Sequence, residues 1–174
     1  MALIDVTDFE DLPYKIPNQE ETKEFVTFIE AKEEELLKEI LGIDLYNEFI
    51  EALADSGELA DKWANLRDGA EYEYSVTNEY KGLVDLLKPA IYSEWIFYTY
   101  RRLTAAAMIV NNGRENTTAV NPSWEIANNW NTWVKKVGNA GYQKNNFYGF
   151  MIANEDDYEN WEFTYQELKN TLDL

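Results

Sequence analysis

The stretch Tyr80–Asn112, YKGLVDLLKPAIYSEWIFYTYRRLTAAAMIVNN, decides the fold class of this chain. Leu83, Leu86, Leu87, Ala90, Ile91, Trp95, Tyr98, Leu103, Ala106 and Ala107 recur mostly at spacings of three and four, the signature of a helix with one apolar face. Between Pro89 and Tyr100 apolar and aromatic side chains spread to nearly every side, which places this helix inside a bundle. Pro89 lacks an amide hydrogen and its ring crowds the preceding turn, so a kink or break is expected there. Glu94, Arg101 and Arg102 make the run too polar to span a membrane.

Working outward, the chain divides into an acidic arm over 1–17, a helical core over 19–153 and a tail over 154–174, all in one domain. In the arm, Leu3, Ile4 and Val6 suit a short strand closed by Pro13 and Pro17. Asn18 with Glu21 forms a capping-box-like start for a first helix from about Gln19 to Leu41. Its inward stripe is Phe25, Phe28, Ile29, Leu36, Leu37, Ile40 and Leu41, and Gly42 stops it. Glu30, Glu33, Glu34, Glu35 and Glu39 fall on what reads as the solvated face.

A second helix is expected from Asp44 to about Asp55, and a third from Ser56 through Leu66, ended by Gly69. Ala70–Asn78 reads as a linker into the central helix. Beyond that helix, Asn111–Thr118 is very polar, and its Asn-Gly pair suits a projecting loop or a small hairpin. Pro122 starts a last long helix with Ala127, Trp130, Val134, Val137 and Gly141 inward, weakened by Gly138 and Gly141. Phe147–Ile152 stays packed. Trp161–Tyr165 alternates with period two and reads as a short strand that needs a partner, followed by a terminal helical turn over Gln166–Leu172. The expected architecture is therefore all-α, a helical bundle around one long central helix with short strands at the two chain ends.

Composition excludes much chemistry. The chain of 174 residues contains no cysteine and no histidine, which removes disulfides, thiolate and imidazole metal sites, cysteine nucleophiles and histidine-based triads. Its net charge is −18, from 33 acidic and 15 basic residues, a balance that repels nucleic-acid phosphates. The opening MALIDVTDFEDL has neither a basic region nor a long apolar run, so no signal peptide is expected and the cytoplasm is the default compartment.

Two constellations bear on chemistry. Glu30-x-x-Glu33 followed by Glu58-x-x-Asp61 fits the spacing by which all-helical nucleoside triphosphate pyrophosphohydrolases hold magnesium, although so acidic a chain produces such spacings by chance. Arg101 and Arg102, with Lys135 and Lys136, are expected to pair with surplus acids instead of forming a basic patch. No Gly-rich phosphate loop is present, and no cofactor is called for. The six tryptophans and twelve tyrosines exceed the needs of a small core, and aromatic residues are enriched at protein interfaces.

Three features together carry a family resemblance: Leu41-Gly42-Ile43-Asp44-Leu45-Tyr46 at a helix end, Trp63-x-x-Leu66-x-x-Gly69-x-x-Tyr72, and Gly82-Leu83 opening a helix that carries Ile91-Tyr92. Over roughly residues 19–110 the chain resembles small helical head-tail connector (adaptor) proteins of tailed phages and prophages. The resemblance implies a non-enzymatic virion assembly protein that forms a homo-oligomeric ring, often of about twelve subunits, below the portal and against neck or tail proteins. It implies cytoplasmic synthesis and incorporation into the virion, with DNA passing through the ring and no specific nucleic-acid or membrane binding. Candidate contact residues are Ile4 in the arm, Asn112, Gly113 and Arg114 in the loop, and Trp161, Phe163 and Tyr165 in the tail. The alternatives are the magnesium-dependent pyrophosphohydrolase and a generic helical interaction module.

Overall fold

The structure is a computed structural model that describes residues 3–10, 14, 19–55, 57–110, 122–164 and 166–168. The expected cap Asn18, the loop residues 111–121 and the final turn beyond residue 168 lie outside the described residues.

The architecture is mostly helical, as expected, with one small sheet between helices. Asp5-Val6-Thr7-Asp8 is itself a capping box: Asp5 accepts the Thr7 amide at 2.9 Å and Asp8 accepts the Asp5 amide at 2.8 Å. The arm therefore winds into a 3-10 helix over Val6–Phe9 instead of the expected strand, and Phe9 is buried edge-on against Phe25.

Helix α1 runs Gln19–Leu41 and buries Phe25, Ile29, Leu36, Leu37, Ile40 and Leu41. Gly42, at φ 78°, ends it and turns the chain directly into α2, Ile43–Ala54, whose Leu45 and Phe49 face inward. Helix α3, Asp61–Asp68, is shorter than its sequence pattern suggested; Leu59 precedes it, and Trp63 and Leu66 are its buried anchors.

The expected linker is a β-hairpin. Strands β1, Ala70–Tyr74, and β2, Val76–Tyr80, pair antiparallel with Tyr72 opposite Asn78, and Ser75 makes the reversal at φ 61°. The sequence AEYEYSVTNEY carries the period-two alternation of a strand pair, putting Tyr72, Asn78 and Tyr80 on the buried face. Gly69 and Gly82 flank the hairpin with positive φ. A side chain on either would collide with backbone of the other's segment, so the tight entry and exit require glycine.

Helix α4, Gly82–Val110, is the central element and packs against α1, α3 and α5. It is not broken at Pro89. The carbonyl that the missing Pro89 amide would have bonded is that of Asp85, and the Lys136 ammonium donates to it at 2.8 Å while also reaching the Asp85 carboxylate at 2.7 Å. A cation on a neighbouring helix thus satisfies the acceptor that proline leaves open.

Helix α5, Ser123–Val137, buries Ile126, Ala127, Trp133, Val134 and Val137. Gly138, at φ 79°, caps its C-terminus, so the expected long helix through Gly141 stops there and the chain folds back through an Asn139–Tyr142 bridge. Helix α6, Phe147–Ala153, is capped by Asn146, whose side chain accepts the Gly149 amide at 2.9 Å. The tail is laced to the core: the Tyr158 hydroxyl donates to the Lys62 carbonyl and the Trp161 indole to the Ile40 carbonyl at 2.8 Å. Its described part, including 161–164 and 166–168, forms neither strand nor helix. Among the described residues no helix is long and apolar enough to cross a membrane.

Candidate functional site

At 23 and 29 residues, α1 and α4 are much longer than α5 at 15, and the first candidate surface lies where these two long helices meet. From Ala90 to Trp95 most of α4 is buried, but Ile96 and Phe97 are only half-buried, Tyr98 is 41% exposed, and Arg101 and Arg102 stand at the surface. The expectation that this aromatic run lies wholly inside a bundle therefore holds for its first half, whereas in the second Tyr98, Arg101 and Arg102 reach the surface.

There Phe28 of α1 meets Trp95 at 5.2 Å and Tyr98 at 5.7 Å between ring centres. Phe28 and Tyr98 open onto a groove of about 510 Å³ whose wall includes Phe97, Lys32, Arg101 and Arg102, together with Glu94. Tyr98 donates its hydroxyl to Glu24 at 3.0 Å and Arg102 binds the same carboxylate at 2.5 Å. The Arg102 contact, with the Tyr98 hydroxyl second, holds Glu24 below the usual carboxylate range. The Arg101 guanidinium lies 5.0 Å above the Phe97 ring.

A second open groove, of about 470 Å³, lies where α6 meets the tail. Tyr148 packs edge-on against Phe163 at 4.6 Å and Trp161 at 5.6 Å, with Ile152, Glu155 and Glu159 around them. The indole bond to the Ile40 carbonyl ties this groove to the C-terminal end of α1, whereas Phe28 and Lys32 place the first nearer its N-terminal end.

The sequence-predicted contact residues divide three ways. Trp161 and Phe163 are brought together in the second groove, both half-buried. Ile4 is 2% exposed and packed in this chain's own core, so it offers no surface to a partner. Asn112, Gly113, Arg114 and Tyr165 lie outside the described residues. Periodicity gives Phe28 and Tyr98 an inward face and does not single out Tyr148, so no local signal marks them as groove residues.

The acidic constellation does not assemble. Glu30, Glu58 and Asp61 are exposed, and among the described residues no three acidic side chains gather as metal ligands. Glu33 leaves the solvated face altogether: it is 6% exposed, and its carboxylate accepts the amides of Leu3 at 3.0 Å and Ile4 at 2.9 Å. Burial pushes its carboxyl up despite those two donors. Of the four cations expected to pair with acids, Lys136 binds Asp85 at the start of α4 and Arg102 binds Glu24 towards its other end. The chain matches no protein-family model, no curated protein and no solved structure.

Proposed function

We propose that the chain is a structural subunit of a phage or prophage head-tail connector, an adaptor that packs beside copies of itself into a ring below the portal. The observation that carries this reading is the open aromatic groove between α1 and α4. Phe28, Phe97 and Tyr98 form rigid aromatic surface edged with charge, the composition of a protein-protein contact with an apolar centre and a polar rim. The resemblance over residues 19–110 supplies the kind of assembly, and the net charge of −18 suits a channel wall past which DNA slides without sticking. The subunit is made in the cytoplasm, built into the virion, and performs no catalysis. The pyrophosphohydrolase alternative loses support because Glu33, one of its four acids, is occupied in holding the arm.

Native mass and electron microscopy of the chain alone and with a portal assembly test this reading. A closed ring, formed in solution or on the portal, is the expected result. A monomer under both conditions, or magnesium-dependent nucleotide turnover abolished by Glu33→Gln, overturns it.

A further inference from the structure

The groove where α6 meets the tail carries ring faces and acids but no cation. Tyr148, Trp161 and Phe163 pack at 61–76° to one another with ring centres 4.6–5.8 Å apart, and all three are half-buried. The indole bond to the Ile40 carbonyl fixes the Trp161 ring. Glu155 and Glu159 stand exposed on the rim, on backbone set by turn bonds from the Tyr158 amide to the Glu155 carbonyl at 3.2 Å and from the Trp161 amide to the Tyr158 carbonyl at 3.0 Å. Neither carboxylate has a hydrogen-bond or ion-pair partner among the described residues. Asp156, Asp157 and Glu162 add exposed negative charge along the same segment. Lys62, the cation held at this segment, is engaged: its ammonium donates to the Asp157 carbonyl at 3.1 Å and lies 4.5 Å from the Trp63 ring centre.

Elsewhere the chain shows what seats on such a combination. Lys38 lies 5.1 Å from the Tyr46 ring centre while bonded to Glu34, and Arg101 lies 5.0 Å from that of Phe97. The α6/tail groove has the rings and acids of such a contact and lacks the cation. We infer that it is a docking site for an arginine-bearing basic segment of a partner protein, with a guanidinium on the Trp161 and Phe163 faces and within reach of Glu155 and Glu159. Charge selects this occupant: ring faces and carboxylates both attract a cation and both oppose an acidic segment. Arginine fits better than lysine, because its planar fork stacks on aromatic faces and bonds carboxylates in pairs. A second copy of the chain fits poorly, since its described arginines are engaged, Arg67 on Asp68, Arg101 on Phe97 and Arg102 on Glu24. The site shares no residue with the α1/α4 groove and stands apart from the ring reading.

A fluorescein-labelled Gly-Arg-Leu-Arg-Gly peptide, read by fluorescence polarisation at low salt, tests the site on the full chain. Joint Glu155→Gln and Glu159→Gln substitution should weaken its binding by about tenfold or more, whereas joint Glu30→Gln and Glu58→Gln, which removes the same charge from exposed positions outside the groove, should change it by about twofold or less. Phe163→Ala, which alters no charge, should weaken binding by about threefold or more. The Gly-Lys-Leu-Lys-Gly peptide should bind more weakly and Gly-Glu-Leu-Glu-Gly not at all. Equal losses in the two glutamate pairs would mean bulk attraction to an acidic chain and overturn the site, as would unchanged binding in Phe163→Ala or no binding of the arginine peptide. Self-association lost in the Glu155/Glu159 pair, with no peptide bound by the parent, would make the occupant another copy and overturn the partner assignment. Circular dichroism checks that each variant is folded, and native mass on the same samples reports the ring separately, so either reading can fail without the other.

Discussion

The Lys136 ammonium donates to the Asp85 carbonyl at 2.8 Å, the acceptor that Pro89 cannot serve from its own helix. Proline inside a helix ordinarily costs about 3 kcal/mol, partly through that lost bond. The coupling is testable by a double-mutant cycle. Lys136→Met is expected to destabilise the chain by about 1–2 kcal/mol, because it strands the carbonyl and removes the bond to the Asp85 carboxylate. In a Pro89→Ala background, where the restored backbone amide reaches the Asp85 carbonyl, the same substitution should cost about 1 kcal/mol less. Equal costs in the two backgrounds, measured by urea unfolding, would show that Lys136 does not compensate for Pro89.

Glu33 holds the arm. Its carboxylate takes two backbone amides from residues about thirty positions away, and Ile4 and Phe9 are buried beside them. Glu33→Ala leaves both amides without an acceptor and is expected to cost about 2–4 kcal/mol. Amide exchange at Leu3 and Ile4 should rise well before that of the α4 core. Protection of those amides unchanged in the variant would contradict this account.

The same carboxyl sets a pH dependence. Burial raises the folded-state pKa of Glu33 above its ordinary value of 4.5, so the folded chain binds more protons than the unfolded chain between the two values. This contribution is fully present below the unfolded pKa and is lost as pH rises through the folded one. Glu24 and Asp68, lowered by their arginine partners, act in the opposite sense and lose their contribution as pH falls. The stability of the parent chain relative to Glu33→Gln should therefore decline as pH rises from 4.5 through the folded pKa, in parallel denaturation series. A difference that grows with pH would reverse the assignment.

Gly149 tests the packing of α6 on the hairpin. Glycine to alanine in a helix normally stabilises by up to about 1 kcal/mol. Here the added carbon would collide with the Gln143 carbonyl and stand 2.6 Å from the Tyr72 hydroxyl, which bonds that carbonyl at 2.8 Å. Gly149→Ala is therefore expected to destabilise by about 1–3 kcal/mol, and a raised melting temperature would refute the contact.

Trp161 and Phe163 share a groove but should respond differently to truncation. Trp161 is anchored to Ile40 of its own chain, so Trp161→Ala is expected to lower fold stability by about 2 kcal/mol or more together with assembly. Phe163 packs mainly on Tyr148 and Trp161. Phe163→Ala should leave the helical circular dichroism unchanged, cost about 1 kcal/mol in unfolding, and chiefly weaken complex formation in sedimentation. Intact assembly in Phe163→Ala would remove this side chain from the interface.

What the sequence determined by itself is local. Apolar spacing over a few turns specified α1, α2 and α4, glycines at 42 and 69 marked the stops of α1 and α3, and the lack of histidine and cysteine removed whole reaction classes. The hairpin was legible in the alternation of AEYEY and VTNEY but was obscured by its acids. The α1/α4 groove was not legible, because periodicity assigns an inward face to Phe28 and Tyr98 without saying whether a neighbour covers it. Tertiary structure alone decided that Glu33 is buried, since within α1 it looks like any other glutamate until the Leu3 and Ile4 amides return to it. It likewise decided that Pro89 is tolerated, through a lysine 47 positions along the chain. Helix-forming tendency is set by residues within one or two turns, whereas burial, pairing and groove formation depend on which distant side chains packing brings within a few ångströms.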